Sequence, residues 1–577
     1  MTARGGTLAR SGGVTAALTG HLVSVSAAEG PAPDRPLPVE AVLEAVHRRG
    51  AEAYGDLRGQ FAVGIHDETA RTAHVLRDPL GSHPLFYAVL PDAVLFAASA
   101  RVLLDQPGVS RDLNRAAIAD HLCKRWPLRQ ETFFDAVRRV PPGWRVEVAP
   151  GRIDARRYWN PVDQSREIDF LPDEEVLRFG SLLDLATARA FSGRRAAVFL
   201  SGGFDSVSVA AVACDLAASR GIAPPSALSI GFPALSCDER EIQHSVAARL
   251  GMPLDLIDFD EAAGPAGLMR RGLELNTQLT APLFNNWFPA YLTLLDRGLA
   301  AGVDTILTGE GGDEWLGTTP FLAADLWRRG DIPGLVRQAR TWKRSFHQDW
   351  GTVARAITWR YGLRPLAGQL CHRIAPEAWD NRRARHVIAA TPAWMAPDPK
   401  LRSVQYDRAR QSLAPADPPD GFYGREASVF LDHPLMSWLF EEQFEFASPL
   451  GVRYVHPYWD PDLVAHMYRV PPERLNEGSR TKALVRRTVD ERFPALGFRR
   501  ARKVTATDFF ADLIRHEAPP LAAAVSDFRG LASLGIVAPD AARAFVDNGW
   551  RQPPRGMGVL WNLVNMEVWV RGQLGLR

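Results

Sequence analysis

One run of residues constrains the fold of this chain more than any other. Ala196-Ala197-Val198-Phe199-Leu200 is an uninterrupted apolar stretch of strand length, Ser201-Gly202-Gly203 is a tight turn, and residues 207–213 continue as an apolar helical face. Strand, glycine turn and helix N-terminus thus follow in that order. Glycines let the backbone approach an anion closely, successive amides point at it, and the helix dipole adds positive potential. With the hydroxyls of Ser201 and Ser206 as further donors, the spacing predicts a loop that holds phosphates. Asp205 is out of place as a phosphate ligand, because a carboxylate beside a polyphosphate needs a cation between them. It is therefore a candidate Mg²⁺ ligand. Read alone, the same string is also an ordinary helix start capped by Ser and Asp.

The alternation continues downstream. Residues 226–230, 254–259 and 305–308 read as strands, and helices begin near Ser206 and Arg240, with a long one near 287–301. Such alternation predicts an α/β unit built on a parallel sheet. The first 165 residues differ: 59–65, 72–76, 84–89 and 93–97 are short strands between turns, as in an α+β unit. The polar stretch 162–167 is the expected linker, which divides the chain into 1–165 and 166–577. Residues 318–430, rich in Trp, Arg and Pro and without strand signals, predict a helical insertion, and helical segments are expected from there to the C-terminus. Arg328, Arg329, Arg337, Arg340, Lys343 and Arg344, interleaved with Trp327 and Trp342, read either as a grip on a peptide or as a solvated basic helix face.

Composition narrows the partners. Among 577 residues, 68 basic side chains against 66 acidic ones give a formal net charge of +2, so no global field argues for nucleic acid or a membrane surface. The four cysteines, Cys123, Cys214, Cys237 and Cys371, are scattered without a Cys-x-x-Cys pair, which disfavours a zinc site and a disulfide framework. A reducing, cytoplasmic location fits them, and no stretch reads as a signal peptide or membrane span.

The string Ser201-Gly202-Gly203-Phe204-Asp205-Ser206 resembles the pyrophosphate-releasing ATP loop (PP-loop) of the asparagine synthetase family. The resemblance continues in order. Ala227-Leu228-Ser229-Ile230-Gly231-Phe232 looks like the family's second strand, whose end contacts adenine. Thr305-Ile306-Leu307-Thr308-Gly309-Glu310-Gly311-Gly312-Asp313-Glu314 looks like its second signature. Thr481-Lys482-Ala483-Leu484 and Arg502-Lys503 match its closing pattern. The resemblance implies an adenine nucleotide alpha hydrolase-like synthetase domain using ATP and Mg²⁺, with Leu200, Ser201, Gly202, Gly203, Asp205, Ser206, Ile230, Gly309 and Lys482 at the nucleotide and Asp205 and Asp313 on the metal. It also implies Glu310 as a catalytic-site glutamate and Lys503 as the cation at the leaving pyrophosphate. Glu445, in Glu445-Phe446-Ala447-Ser448-Pro449 before His456-Pro457-Tyr458-Trp459-Asp460, resembles the glutamate that assists amine deprotonation in beta-lactam synthetases. It reads equally as a solvated helix residue beside core aromatics.

Gly55-Asp56-Leu57-Arg58-Gly59-Gln60-Phe61 and Arg77-Asp78-Pro79-Leu80-Gly81-Ser82-His83 resemble the second half of the family's glutaminase domain, which implies an Ntn-hydrolase-like fold. That chemistry needs an N-terminal cysteine with its own amine as base, whereas this chain opens Met1-Thr2-Ala3 and has Leu37-Pro38 and Gly20-His21 where the glutamine pocket is expected. A degenerate glutaminase implies a nucleophile that arrives on the substrate, as in beta-lactam synthetases and lasso peptide cyclases. Glu310, where beta-lactam synthetases carry tyrosine, and the large insertion point toward the lasso cyclase branch. The expected substrate is a core peptide, or another small amine or carboxylate, with a leader peptidase and a leader-binding protein implied as partners. An ammonia-dependent amidotransferase and a non-catalytic scaffold are the other readings.

Overall fold

The computed structural model describes residues 6–25, 36–162, 167–191, 195–233, 235–346, 348–413, 418, 421–431, 433–477, 480–496, 498, 506–550 and 557–576. Among the described residues the N-terminal part carries nine strands: β1 (Thr7–Ser11), β2 (Val14–Ser24), β3 (Arg58–Asp67), β4 (Thr72–Arg77), β5 (Phe86–Val89), β6 (Val94–Ala97), β7 (Arg138–Arg139), β8 (Trp144–Ala149) and β9 (Arg152–Arg157). They form a six-stranded antiparallel sheet in the order β1-β2-β3-β4-β8-β9 and a three-stranded one, β6-β5-β7. The two-residue period of β3 explains the layering. Phe61, Val63 and Ile65 face a core shared with Val42 and Leu43 of the helix Val39–Arg49, while Ala62 faces a second core with Tyr87 and Val146. The opening hairpin of β1 and β2 had no clear strand pattern in the sequence. Glycines at 12 and 13, both with positive φ, make its turn.

The second part is built on strands β10 (Ala196–Phe199), β11 (Ser226–Gly231), β12 (Leu254–Asp258), β13 (Thr305–Leu307) and β14 (Arg453–Val455), all parallel, in the order β12-β11-β10-β13-β14. From β10 the chain winds outward through β11 to β12, then crosses back to lay β13 on the other side of β10. The strand order therefore reverses between β10 and β13, and open α/β sheets bind ligands at the carboxyl ends of the strands beside such a reversal. Both glycine-rich turns leave the sheet there. The last strand corrects the expectation of helices alone after residue 430: Arg453–Val455 pairs with β13 from about 150 residues downstream.

Between β13 and β14 the described residues of 318–430 hold helices, among them Leu322–Arg329, Ile332–Phe346, Arg364–Ile374, Pro376–Ala389 and Pro399–Gln411, with a π-helix at Ala356–Leu363. The C-terminal helix Met557–Leu574 buries most of its middle, Leu560 to Val570, and its Trp569 packs edge-on against Phe133 and Phe134 of the N-terminal part. Among the described residues no helix is long and apolar enough to cross a membrane.

Candidate functional site

The helix Phe204–Ser219 begins directly after the first glycine turn, and its buried Val207, Val209 and Ala210 press it onto the sheet. The turn is held by its own hydroxyls. Ser201 N–H donates to Ser206 Oγ (3.1 Å), the two hydroxyls lie 2.9 Å apart, and Gly203 N–H donates to Ser201 Oγ (3.2 Å). Gly202 N–H donates to Glu239 Oε2 (3.1 Å), so a carboxylate occupies one of the anion-binding amides. Burial raises the Glu239 pKa, as expected for a carboxylate drawn into the turn.

The second turn fits against the first because its glycines have no side chains. A Cβ on Gly309 would stand 2.6 Å from Ser206 N, and one on Gly312 would stand 2.2 Å from Asp205 Cγ. Gly311 adopts φ +99°, a conformation that favours glycine. This close approach brings Asp205 and Asp313 to a single cation, the ammonium of Lys482. Its Nζ contacts Asp205 Oδ2 and lies 2.7 Å from Asp313 Oδ1. Burial works to lower the Lys482 pKa, but the two carboxylates outweigh it and the pKa is raised. Two carboxylates already converging on one positive charge, one of them half exposed, form an oxygen donor set that suits Mg²⁺ with room for water.

These turns open into a cleft of about 660 Å³. Leu200, Ser201, Gly203, Asp205, Ser206 and Ile230 line one side of it, and Gly309, Glu310 and Asp313 line the other. Burial first, then the neighbouring Glu314 and Asp313, push Glu310 up to about 7. Tyr291 and Tyr454 stand close enough to feel the Glu310 charge.

Lys503 lies outside the described residues, and Glu445 is not among the residues that line this cleft. Glu445 lines a different pocket, where its carboxylate accepts hydrogen bonds from Thr280 Oγ1 (3.0 Å) and Thr280 N–H (3.2 Å) and pairs with Arg101. The helix Pro434–Ala447 sends Gln443 to the cleft and Glu445, the candidate general base, to the other pocket. The aromatics after it are core. Tyr458 Oη lies 2.6 Å from Ser208 Oγ, Trp459 packs edge-on against Trp315, and His456 Nδ1 lies 2.7 Å from Thr308 Oγ1.

Other cleft residues escaped the sequence reading. Gln243 donates its amide to Leu200 O (3.3 Å) and Ile230 O (3.2 Å), tying the ends of β10 and β11, and its buried Oε1 has no partner among the described residues. Gln443 Oε1 and Tyr454 Oη are likewise buried without partners. Nothing in local sequence marks them, since each comes from an element joined to the turns only through tertiary packing.

With this geometry in view, sequence comparison is decisive. The model of the asparagine synthase family matches residues 178–571, and that of a glutamine amidotransferase domain matches 38–159. The chain belongs to the asparagine synthase family. Members of this family are ATP-dependent, AMP-forming, amide-bond-forming ligases. Its curated relatives include "Amidase chry2" of Gibberella zeae, 27% identical over 50% of this chain and 44% of that protein. They also include "Asparagine synthetase [glutamine-hydrolyzing] 3" of Bacillus subtilis, 26% identical over 34% of this chain and 32% of that protein. The chain thus spans less than half the length of these relatives. Among solved structures, the allosteric regulatory enzyme of purine biosynthesis is matched at a TM-score of 0.18 and 13% identity, over 44% of this chain and 62% of that one. That likeness is too slight to argue from.

Proposed function

We propose that the protein is an ATP-dependent, AMP-forming amide ligase that adenylates a side-chain carboxylate of a core peptide and closes it onto the peptide's own N-terminal amine, as a lasso peptide cyclase does. The observation that carries this reading is the meeting of Asp205, Asp313 and Lys482 at the sheet reversal, beside a glutamate whose pKa is about 7.

ATP is the first substrate. Its adenine faces Leu200 and Ile230 at the ends of β10 and β11. Its phosphates take the amides and hydroxyls of Ser201 to Ser206, exchanging the internal bonds that Glu239 and Ser201 now make there. Asp205 and Asp313 would hold Mg²⁺, which when bound would neutralise charge on the polyphosphate. Lys482, and Lys503 by its place in the sequence, put positive charge where the pyrophosphate leaves, so they act more strongly on the transition state than on the ground state. The carboxylate oxygen attacks the α-phosphorus, pyrophosphate leaves, the amine nitrogen attacks the acyl carbon, and AMP departs. Glu310 takes the proton lost by the amine, a task suited to a group titrating near 7.

The choice of a tethered amine rests on the N-terminal part. The cavity it shares with the second part is lined by Thr19, Gly20, His21, Gln60, Ser82 and His83, and none of the four cysteines reaches it. Burial raises the pKa of Cys123, Cys214 and Cys237, the opposite of what activates a thiol. An intramolecular attack also gains the proximity advantage of a held nucleophile. A second reading is ammonia-dependent amidation, the amide chemistry named for the asparagine synthetase relatives without the glutamine hydrolysis also named for them. Mass spectrometry of the product separates the two: cyclisation removes one water, whereas amidation replaces a hydroxyl by an amino group. Full turnover by Asp205→Ala would sink both readings.

A further inference from the structure

The helical stretch carries a groove of about 820 Å³ that shares no lining residue with the ATP cleft. Phe321, Tyr361, Trp379 and Phe422 contribute rings to it, and Pro365, Val387 and Leu413 add apolar surface. Five arginines, Arg360, Arg364, Arg382, Arg383 and Arg425, line it with His386, and no carboxylate does among the described residues. Between residues 350 and 390 the chain has seven arginines against two acids, Glu377 and Asp380, although the whole protein is almost neutral. Arg383 is paired with Asp380 at 3.4 Å. Arg360, Arg364 and Arg382 are exposed and pair with no carboxylate among the described residues.

Like charges gathered around one concavity repel one another unless an anion enters it. The arrangement is also built rather than incidental. Arg360 sits 5.0 Å over the Tyr361 ring, Arg382 6.0 Å over Trp379 and Arg425 5.6 Å over Phe422. A guanidinium laid on a ring keeps its planar edge of N–H donors for bidentate carboxylate binding. Arg360 and Tyr361 lie on the π-helix Ala356–Leu363, and such widened turns recur at functional sites.

The geometry points to this groove as a binding site for an acidic peptide segment. A nucleic acid fits it less well, because the ring faces on which bases would stack carry the protein's own guanidinium groups, and Tyr361 is further hemmed in edge-on by Phe321 and Trp342. The occupant is part of a separate polypeptide, which under the function proposed above is the peptide substrate. Its binding here requires no turnover of ATP.

The test is fluorescence anisotropy of the full chain with a fluorescein-labelled octapeptide alternating glutamate and phenylalanine. The same peptide with lysine for glutamate and an RNA octamer serve as comparators. The acidic peptide binds, weakens as salt is raised, and binds about tenfold more weakly to Arg364→Glu/Arg382→Glu, whereas Arg364→Lys/Arg382→Lys retains most of the affinity. Mg-ATP binding is unchanged in both variants. If the charge-reversed variant fails to fold, hydrogen–deuterium exchange on the wild-type protein decides, with protection by the acidic peptide expected across 356–390. Equal binding of the lysine peptide, tighter binding of the RNA, unaltered affinity in the charge-reversed variant, or absence of protection overturns the assignment. A failure to release AMP contradicts the proposed ligase and leaves this measurement untouched.

Discussion

Glu310 and Lys482 show how a few charges define the site. In the unfolded chain a glutamate titrates near its ordinary value of 4.5, but in the native cleft Glu310 titrates at about 7. Between those values the native state holds the extra proton, so raising pH through the window costs native stability. Glu310→Gln removes that cost, and its Tm relative to wild type should rise between pH 5 and pH 8. If Glu310 is the base, amide formation by the wild type should increase with pH up to about 7 and fall strongly in the variant. A second expectation concerns Lys482. Without its ammonium, Asp205 and Asp313 lose the cation they share and the incoming phosphates meet less positive charge, so Lys482→Ala should lower kcat/KM by about 10²- to 10³-fold, as for loss of other groups that stabilise developing charge. Turnover within a few-fold of wild type would remove Lys482 from the chemistry.

At the scale of elements, the two signature turns work as a pair because their glycines allow contact. Gly312→Ala puts a methyl 2.2 Å from Asp205 Cγ, and such overpacking typically costs about 1–3 kcal/mol. Urea denaturation should register that loss, and Mg-ATP titration should show weakened binding. The buried bond between Tyr458 and Ser208 supports the same helix from below, and Tyr458→Phe should cost about 1 kcal/mol without changing which nucleotide binds. These turns were legible in sequence because strand, glycine and helix follow one another locally. The parallel strands 226–230 and 305–308 were legible for the same reason. β14 was not: three residues among aromatics carry no periodicity, and only pairing with β13 makes them a strand. Gln443 and Tyr454 were hidden for a related reason, and Gln443 and Glu445 line different pockets because two residues along a helix turn a side chain to another face.

Across the whole molecule, the N-terminal part is fastened to the synthetase part by buried ions. Arg77 and Arg139 both meet Glu441, Arg139 at 2.6 and 2.7 Å, and Arg58 meets Asp462 at 2.8 Å. Gln60 donates to Tyr454 O (2.9 Å), joining β3 to the strand that borders the cleft. Removing one partner of such a pair strands the others, so Glu441→Ala should destabilise by about 3 kcal/mol or more. Limited proteolysis should then release the N-terminal part sooner than in the wild type. The architecture serves one claim above the rest, that a carboxylate is activated as its adenylate at the reversal between β10 and β13. The direct test follows oxygen: the purified chain is incubated with Mg-ATP and a core peptide labelled with oxygen-18 in its acidic side chain, and the nucleotide products are weighed. The expected products are AMP carrying one heavy oxygen, pyrophosphate, and a peptide lighter by one water. ADP with inorganic phosphate, or AMP without the heavy oxygen, would contradict it.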